Sequence, residues 1–299
     1  MKVEEVFDVT IIGGGPAGLY SAFYSGLRKM KTKLIEYQPY LGGKIHVYPE
    51  KMIWDIGGVT PIRGAALIDQ LVQQGLTFDP TVVLNEKVDS ITRNKDRIFE
   101  LQCTSGCIHY SKTVIVAVGS GILKPQKLDI DGAQAYEVSN LSYTIKSLQH
   151  FNNKTVILSG GGDSAIDWAN ELLPIAKQVF VTYRKDSFSG HEAQVEKLLH
   201  SSAICYFQTT ITKLLANSEG SAIEKVELTN GATGEVTILD VDEVVVNHGF
   251  ERDAALLAES PLPIKLVNNF SIEGTPNGEC LFPASLQQAI SFPTKGNCT

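Results

Sequence analysis

The sequence lacks the features of a nucleic-acid binder, a membrane protein or a disulfide scaffold. Its 299 residues hold 26 Lys and Arg against 33 Asp and Glu, a net charge of −7, with no basic cluster. That balance argues against a nucleic-acid partner. No apolar stretch reaches membrane-spanning length, and Met1-Lys2-Val3-Glu4-Glu5 does not read as a signal peptide, so a cytoplasmic protein is expected. The five cysteines (Cys103, Cys107, Cys205, Cys280 and Cys298) form an odd, scattered set, which argues against a disulfide framework. Cys103 and Cys107 frame a Thr104-Ser105-Gly106 turn and read as hairpin thiols. Neither a CxxC nor an adjoining histidine pattern accompanies them, and no metal site is read from the sequence.

Glycine, by contrast, is placed with purpose. Gly13-Gly14-Gly15-Pro16-Ala17-Gly18 follows the apolar run Val9-Thr10-Ile11-Ile12, and Gly160-Gly161-Gly162-Asp163-Ser164-Ala165 follows Thr155-Val156-Ile157-Leu158. In each fingerprint the first glycine permits a tight turn and the second a close backbone approach to a pyrophosphate. The third small residue lets the following helix pack on the strand, with its N-terminus toward the phosphates. Helix-like stretches follow both, Leu19 to Gly26 and Ile166 to Leu173. Gly13, Gly15, Pro16, Ala17, Gly18, Gly160, Gly162, Asp163, Ser164 and Ala165 are therefore candidate cofactor-binding positions. Two dinucleotides in one chain imply electron transfer between cofactors.

The next strand of each unit differentiates the two sites. Twenty-three residues after Gly13 stands Glu36, closing Lys33-Leu34-Ile35. An acid there accepts hydrogen bonds from a ribose 2′-hydroxyl and repels a 2′-phosphate, so the first site reads as FAD or NAD. Twenty-three residues after Gly160 stands Tyr183, followed by Arg184 and Lys185. A guanidinium beside an ammonium, with no acid, suits a 2′-phosphate, so the second reads as NADP. The alternative for that basic pair is a solvated strand end.

The pattern repeats along the chain. A first α/β unit covers residues 3–118, with an alternating β section from Asn85 to Cys103 and Ile108 to Val118. A second runs from about 127 to 246, with a hairpin of Ile223 to Leu228 and Val236 to Leu239 and a closing strand Glu243 to Val246. The duplication predicts an α/β protein of two Rossmann-like, three-layer domains. The first is expected at 1–120, completed by 248–299, and the second at 121–247. Crossovers near 119–126 and 247–252 are candidate hinges.

From residue 6 to 279 the sequence resembles the thioredoxin-reductase-like flavoproteins, in particular the ferredoxin (flavodoxin)–NADP reductases. The resemblance rests on both glycine loops, Gly42-Gly43-Lys44, Tyr48-Pro49-Glu50-Lys51, Asp55-Ile56-Gly57-Gly58 and Gly119-Ser120-Gly121 with Lys124-Pro125. Tyr183-Arg184-Lys185-Asp186, His191-Glu192 and Asn247-His248-Gly249-Phe250 complete it. Thioredoxin reductases proper carry a CxxC before the second loop, but Glu137 to Asn153 has no cysteine. A bacilliredoxin-type reductase is expected to have a cysteine where this chain has Ala17. The resemblance implies FAD and NADP(H) as cofactors, a homodimer, and flavin contacts from Glu36, Lys44, Tyr48, Val88 and Leu123. Lys44 stands where a glutamine is usual and Leu123 where an aromatic is usual. His191 is implied as an NADP-side contact, beside the reading that a histidine at a helix start is structural. Asp163 and Asp167 read as first-turn acids of a helix.

The resemblance stops at Glu279. The fold ordinarily continues with a strand and a Gly-Asp motif whose aspartate holds the flavin, and neither is found in residues 280–299. One permitted coding of that stretch, read one base earlier after GAG for Glu279, gives V-S-V-P-G-L-F-A-A-G-D-I-V-S-Y-E-G-Q-L-H. This contains the missing strand and motif in place, so a frame-shifted, truncated product of a reductase gene is expected. The 3′ coding DNA decides it.

For the intact family the resemblance implies electron transfer between NADPH and ferredoxin or flavodoxin through FAD. No side-chain nucleophile or acid–base pair is required, so no catalytic residue is named. Two other readings stand beside it: a reductase of the same fold serving a quinone or small disulfide, and a flavin-deficient, inactive product.

Overall fold

The computed structural model describes residues 5–119, 121, 124–251, 256–257, 260–262, 264–267 and 271–275. Two compact units emerge, one of Met1–Lys44, Ile68–Leu123 and Arg252–Thr299, the other of Ile45–Leu67 and Lys124–Glu251.

The first unit is built on the strands β1 (Val6–Ile12), β2 (Thr32–Ile35), β3 (Thr81–Val83), β4 (Val88–Arg93), β5 (Phe99–Cys103) and β6 (Ile108–Val116). They order as β3-β2-β1-β6-β5-β4. β3, β2, β1 and β6 run parallel, while β6, β5 and β4 form an antiparallel meander. β1 is buried along most of its length and β2 along all of it, because both faces of the sheet are covered there. Val9, Ile11 and Leu34 pack against Leu19 and Ala22 of helix α1 (Pro16–Leu27). Ile12 and Ile35 pack on the opposite face against Ile91, Phe99 and Leu101 of the meander. A second helix, α2 (Gly64–Gly75), leads into β3.

The second unit repeats this plan with β7 (Leu141–Ser142), β8 (Thr155–Ser159), β9 (Gln178–Tyr183), β10 (Ile204–Phe207), β11 (Thr209–Ala216), β12 (Ile223–Asn230), β13 (Val236–Asp240) and β14 (Glu243–Val246). The all-parallel sheet orders β7-β14-β8-β9-β10, and β11-β12-β13 form a separate antiparallel meander. Alternation again sorts the layers. Val156, Leu158 and Val245 face helices α3 (Asp163–Leu172) and α4 (Glu192–Leu199) through Ile166, Trp168, Leu172 and Leu198. Ile157, Val244 and Val246 face Ile211, Ile223, Val226 and Leu228 of the meander. Each unit is thus a three-layer, Rossmann-like sandwich of helix, parallel sheet and meander.

Residues 45–67, which the sequence reading leaves in the first domain, group with the second unit. Long-range polar contacts hold them there. Lys51 Nζ reaches Asp167 Oδ2 at 2.6 Å and Arg63 Nη1 reaches Glu171 Oε2 at 2.9 Å, both on α3. The Leu148 amide donates to the Glu50 carboxylate, and the Thr144 hydroxyl to the Val47 carbonyl. The expected crossovers form a short antiparallel pair within this unit, Lys124–Pro125 with Phe250–Glu251.

Candidate functional site

In each parallel sheet the chain leaves the central strand for one neighbour and returns on the other side, and the glycine loop lies at the carboxyl end of that central strand. Such switch points are where doubly wound sheets bind ligands. At the end of β1, Gly13 takes φ of 107°, and a Cβ there would lie 2.4 Å from the Ala117 carbonyl oxygen. A Cβ on Gly18 would lie 1.8 Å from the Gly13 carbonyl oxygen, so only glycine lets α1 seat this tightly on the turn. Gly15 caps the helix with extended backbone and no side-chain cap. Pro16, at the first helical position, costs no hydrogen bond there. Pro16 and Ala17 are exposed at the helix start.

Glu36 closes the site from β2. Its buried carboxylate accepts the Gly14 amide at 2.6 Å through Oε2 and the Gln38 amide at 2.8 Å through Oε1. A carboxylate offers about four acceptor positions, so two remain for a diol. Gly42 N donates to the Gly14 carbonyl at 2.8 Å, which brings Gly42-Gly43-Lys44 onto the loop. Lys44 is exposed, and Val88 is buried at the head of β4. Tyr48 lies in the second unit, packed against its helix-face core with the Lys51 ammonium 5.5 Å from its ring centroid. Burial and the Asp55 charge raise the Tyr48 phenol above its usual pKa. Leu123 and the residues from 276 onward lie outside the described residues.

The second loop has the same frame with a different wall. A Cβ on Gly160 would meet the Asn247 carbonyl oxygen at 2.6 Å, and one on Gly161 would meet the Tyr183 ring at 2.3 Å. Gly162 opens onto free space as the cap of α3, again without a side-chain cap. Tyr183 is fixed over the loop by its hydroxyl, 3.2 Å from Ser189 Oγ, and by the Phe188 ring, 6.0 Å away. Arg184 and Lys185 follow it, exposed at the end of β9. Asp163 Oδ1 accepts the His191 amide at 2.9 Å and lies 3.7 Å from His191 Nε2, joining the starts of α3 and α4. Ser164 is exposed in the first turn and Ala165 is buried beneath it.

Sequence reasoning assigned no role to Ser159 or His248. The Ser159 hydroxyl lies 2.9 Å from His248 Nε2, where the closing strand β14 returns beside the glycine loop. Burial, then the Arg184 charge, hold that imidazole below its ordinary pKa, so it faces the loop neutral. The internal duplication was the available signal, since it aligns residues 247–249 with 117–119.

The family profile of pyridine nucleotide-disulphide oxidoreductases matches residues 7–273. Ferredoxin–NADP reductase 1 of Bacillus licheniformis is 66% identical over 283 residues, covering 95% of this chain and 81% of the relative. The chain belongs to this family, among the ferredoxin–NADP reductases. Other reductases of the family are close to it: Bacillus cereus ferredoxin–NADP reductase 1 at 67% over 279 residues (93% and 80% covered), and Exiguobacterium sibiricum ferredoxin–NADP reductase 2 at 64% over 283 (95% and 80%). Among solved structures, T. acidophilum thioredoxin reductase aligns with a TM-score of 0.80 at 20% identity, covering 94% of this chain and 88% of that one. The Lactococcus lactis thioredoxin reductase aligns at 0.74 and 23% identity, covering 86% and 82%. These two establish the thioredoxin-reductase-like fold of this reductase and nothing beyond it.

Proposed function

We propose that the chain is a flavoprotein oxidoreductase moving electrons between NADPH and ferredoxin, with FAD in the first unit and NADP(H) in the second. The observation that carries the reading is the contrast at equivalent positions of two similar folds. Glu36 presents a fixed carboxylate to the first glycine loop, while Tyr183 lies over the second with Arg184 and Lys185 next in the chain. A ribose diol fits the former and a 2′-phosphate the latter.

Both loops fit a dinucleotide. Gly13, Gly18, Gly160 and Gly161 make approaches that a side chain would block, and the starts of α1 and α3 carry no side-chain cap. Their amides and the positive ends of the helix dipoles suit a pyrophosphate. Gly15, Pro16 and Ala17 line the first cradle with Glu36, and Lys44 and Val88 flank it. Gly162, Asp163, Ser164 and Ala165 line the second, with Arg184, Lys185 and His191 on its phosphate side. When bound, FAD supplies the conversion between hydride transfer and single-electron steps. The protein's part is to hold each dinucleotide, discriminate the 2′-phosphate and present a neutral His248 beside Ser159.

Ferredoxin as partner follows the names of the relatives. Flavodoxin as a second acceptor, a homodimeric assembly and a cytoplasmic location belong to the same reading. Among the described residues no helix is long and apolar enough to cross a membrane. The test is a visible spectrum of the chain incubated with FAD and desalted. A retained flavin band that bleaches with NADPH and recovers on adding oxidised ferredoxin is expected. A colourless protein overturns the assignment for this chain.

A further inference from the structure

The meander of the first unit brings together three side chains that the proposed reaction does not use. A Glu86 carboxylate oxygen, Cys103 Sγ and a His109 ring nitrogen lie within 4.8 Å of one another. They come from the loop after β3, the end of β5 and the start of β6. The register explains the meeting. Leu101 pairs with His109 and the Cys103 amide bonds the Cys107 carbonyl, so His109 is the diagonal, same-face neighbour of Cys103. We propose that Glu86, Cys103 and His109 form a binding site for one thiophilic divalent cation of the zinc class.

The donor set is a thiol, an imidazole and a carboxylate, which suits zinc with a fourth position left to water. Tetrahedral bonds of about 2.0–2.3 Å set ligands roughly 3.3–3.8 Å apart, so binding needs only a modest contraction. A second observation points to a missing partner: His109 Nε2 is buried and makes no hydrogen bond. The other ring nitrogen, His109 Nδ1, lies 3.1 Å from Lys33 Nζ.

The charges around the cluster favour a cation that replaces a proton. Cys103 is buried, and burial, then Glu86, Cys107 and Asp89, push its thiol up to about 12. That thiol is protonated and unreactive at neutral pH without a metal. Burial, then the Lys33 charge, hold His109 below its ordinary value, leaving a neutral ring able to ligate. The opposing charge is Lys33, itself buried, with its Nζ 4.1 Å from the Phe7 ring centroid. Burial depresses its pKa, with Glu5 and Cys103 acting upward and Lys31 downward. Binding therefore releases the Cys103 thiol proton. The thiolate and carboxylate then balance the two positive charges, and no electron changes hands.

Cobalt(II) is the probe. The full chain, freed of metal by chelator dialysis, is titrated and read as a difference spectrum against itself, so any flavin cancels. One equivalent giving a sulfur-to-cobalt charge-transfer band, displaced by zinc, is expected. Cys103→Ser removes the band, and His109→Gln and Glu86→Gln weaken binding at least tenfold, whereas Cys107→Ser keeps it. The idea is overturned by the absence of a band, by binding indifferent to His109→Gln and Glu86→Gln, or by loss on Cys107→Ser. The last result would move the ion to the exposed turn. Should Cys103→Ser fail to fold, the partly exposed Glu86 and His109 variants and a zinc-dependent rise in wild-type Tm decide the matter.

Discussion

Glu36 and Gly14 are joined by a 2.6 Å hydrogen bond from the glycine amide to the carboxylate, across 22 residues of chain. The first nucleotide loop is thereby held by the same acid proposed to read its ligand. In the second unit the corresponding pair is Tyr183 and Gly161, and their relation is packing: a Cβ on Gly161 would lie 2.3 Å from the ring. One fold carries two loops with different locks.

Glu36→Ala should weaken FAD binding roughly 10–100-fold, since a charge-assisted hydrogen bond contributes about 1.5–3 kcal/mol. Glu36→Gln should fall between, because an amide keeps one acceptor but turns a donor toward an amide N–H. Flavin retained after desalting, measured against free FAD concentration, reads the effect. Unchanged retention in Glu36→Ala removes the acid from the flavin site.

Arg184 is the main determinant expected for NADPH over NADH. Arg184→Ala should raise KM for NADPH about 10–100-fold, by loss of a charge-assisted contact to phosphate, and leave KM for NADH nearly unchanged. Lys185→Ala should do less, as a flexible point charge holds a phosphate less specifically than a planar fork. Equal losses with both cofactors would place Arg184 elsewhere than at the 2′-phosphate.

The parts of this molecule written in local pattern were legible in advance. The strands around Ile11, Leu34, Ile157 and Val245 announce themselves as apolar runs, and the glycine loops mark where each turns into a helix. Both helices begin earlier than the apolar pattern suggested, at Pro16 and Asp163, because their first three residues are polar or small and include no large apolar side chain. The placement of residues 45–67 was not legible. Their bonds run to Asp167 and Glu171, more than a hundred residues away, through single charged side chains that leave no periodic trace. The meeting of Glu86, Cys103 and His109 was hidden for a related reason: it depends on hairpin register, and no metal-binding spacing encodes it.

Lys51 and Asp167 form a largely buried ion pair, with side chains 13% and 15% exposed. Removing one partner strands the other's charge. Lys51→Met or Asp167→Leu alone should destabilise the second unit by roughly 2–4 kcal/mol. The double substitution should recover much of that loss, since an apolar pair needs no desolvation of charge. Denaturant unfolding of the four proteins measures it. Single variants within 0.5 kcal/mol of wild type, on the order of an exposed pair, would mean water already screens the contact.

Stability should fall as the protein is taken from pH 7.5 to 5.5, and two partly desolvated imidazoles give the reason. Burial holds His109 and His248 below the ordinary value of 6.5, with Lys33 and Arg184 as their respective second causes. Between that ordinary value and the lower folded one, the unfolded chain binds more protons than the native chain. Unfolding free energy therefore rises with pH through this window and declines as pH drops through it. Asp8 does not confuse the measurement. Its carboxyl is lowered from 3.8 by Lys112 and the Lys31 amide, so its contribution is lost only in stronger acid. His248→Gln should flatten the slope for the second unit and His109→Gln for the first. Denaturant midpoints at half-unit pH steps provide the check, and a slope unaltered in both variants would assign the acid sensitivity to other groups.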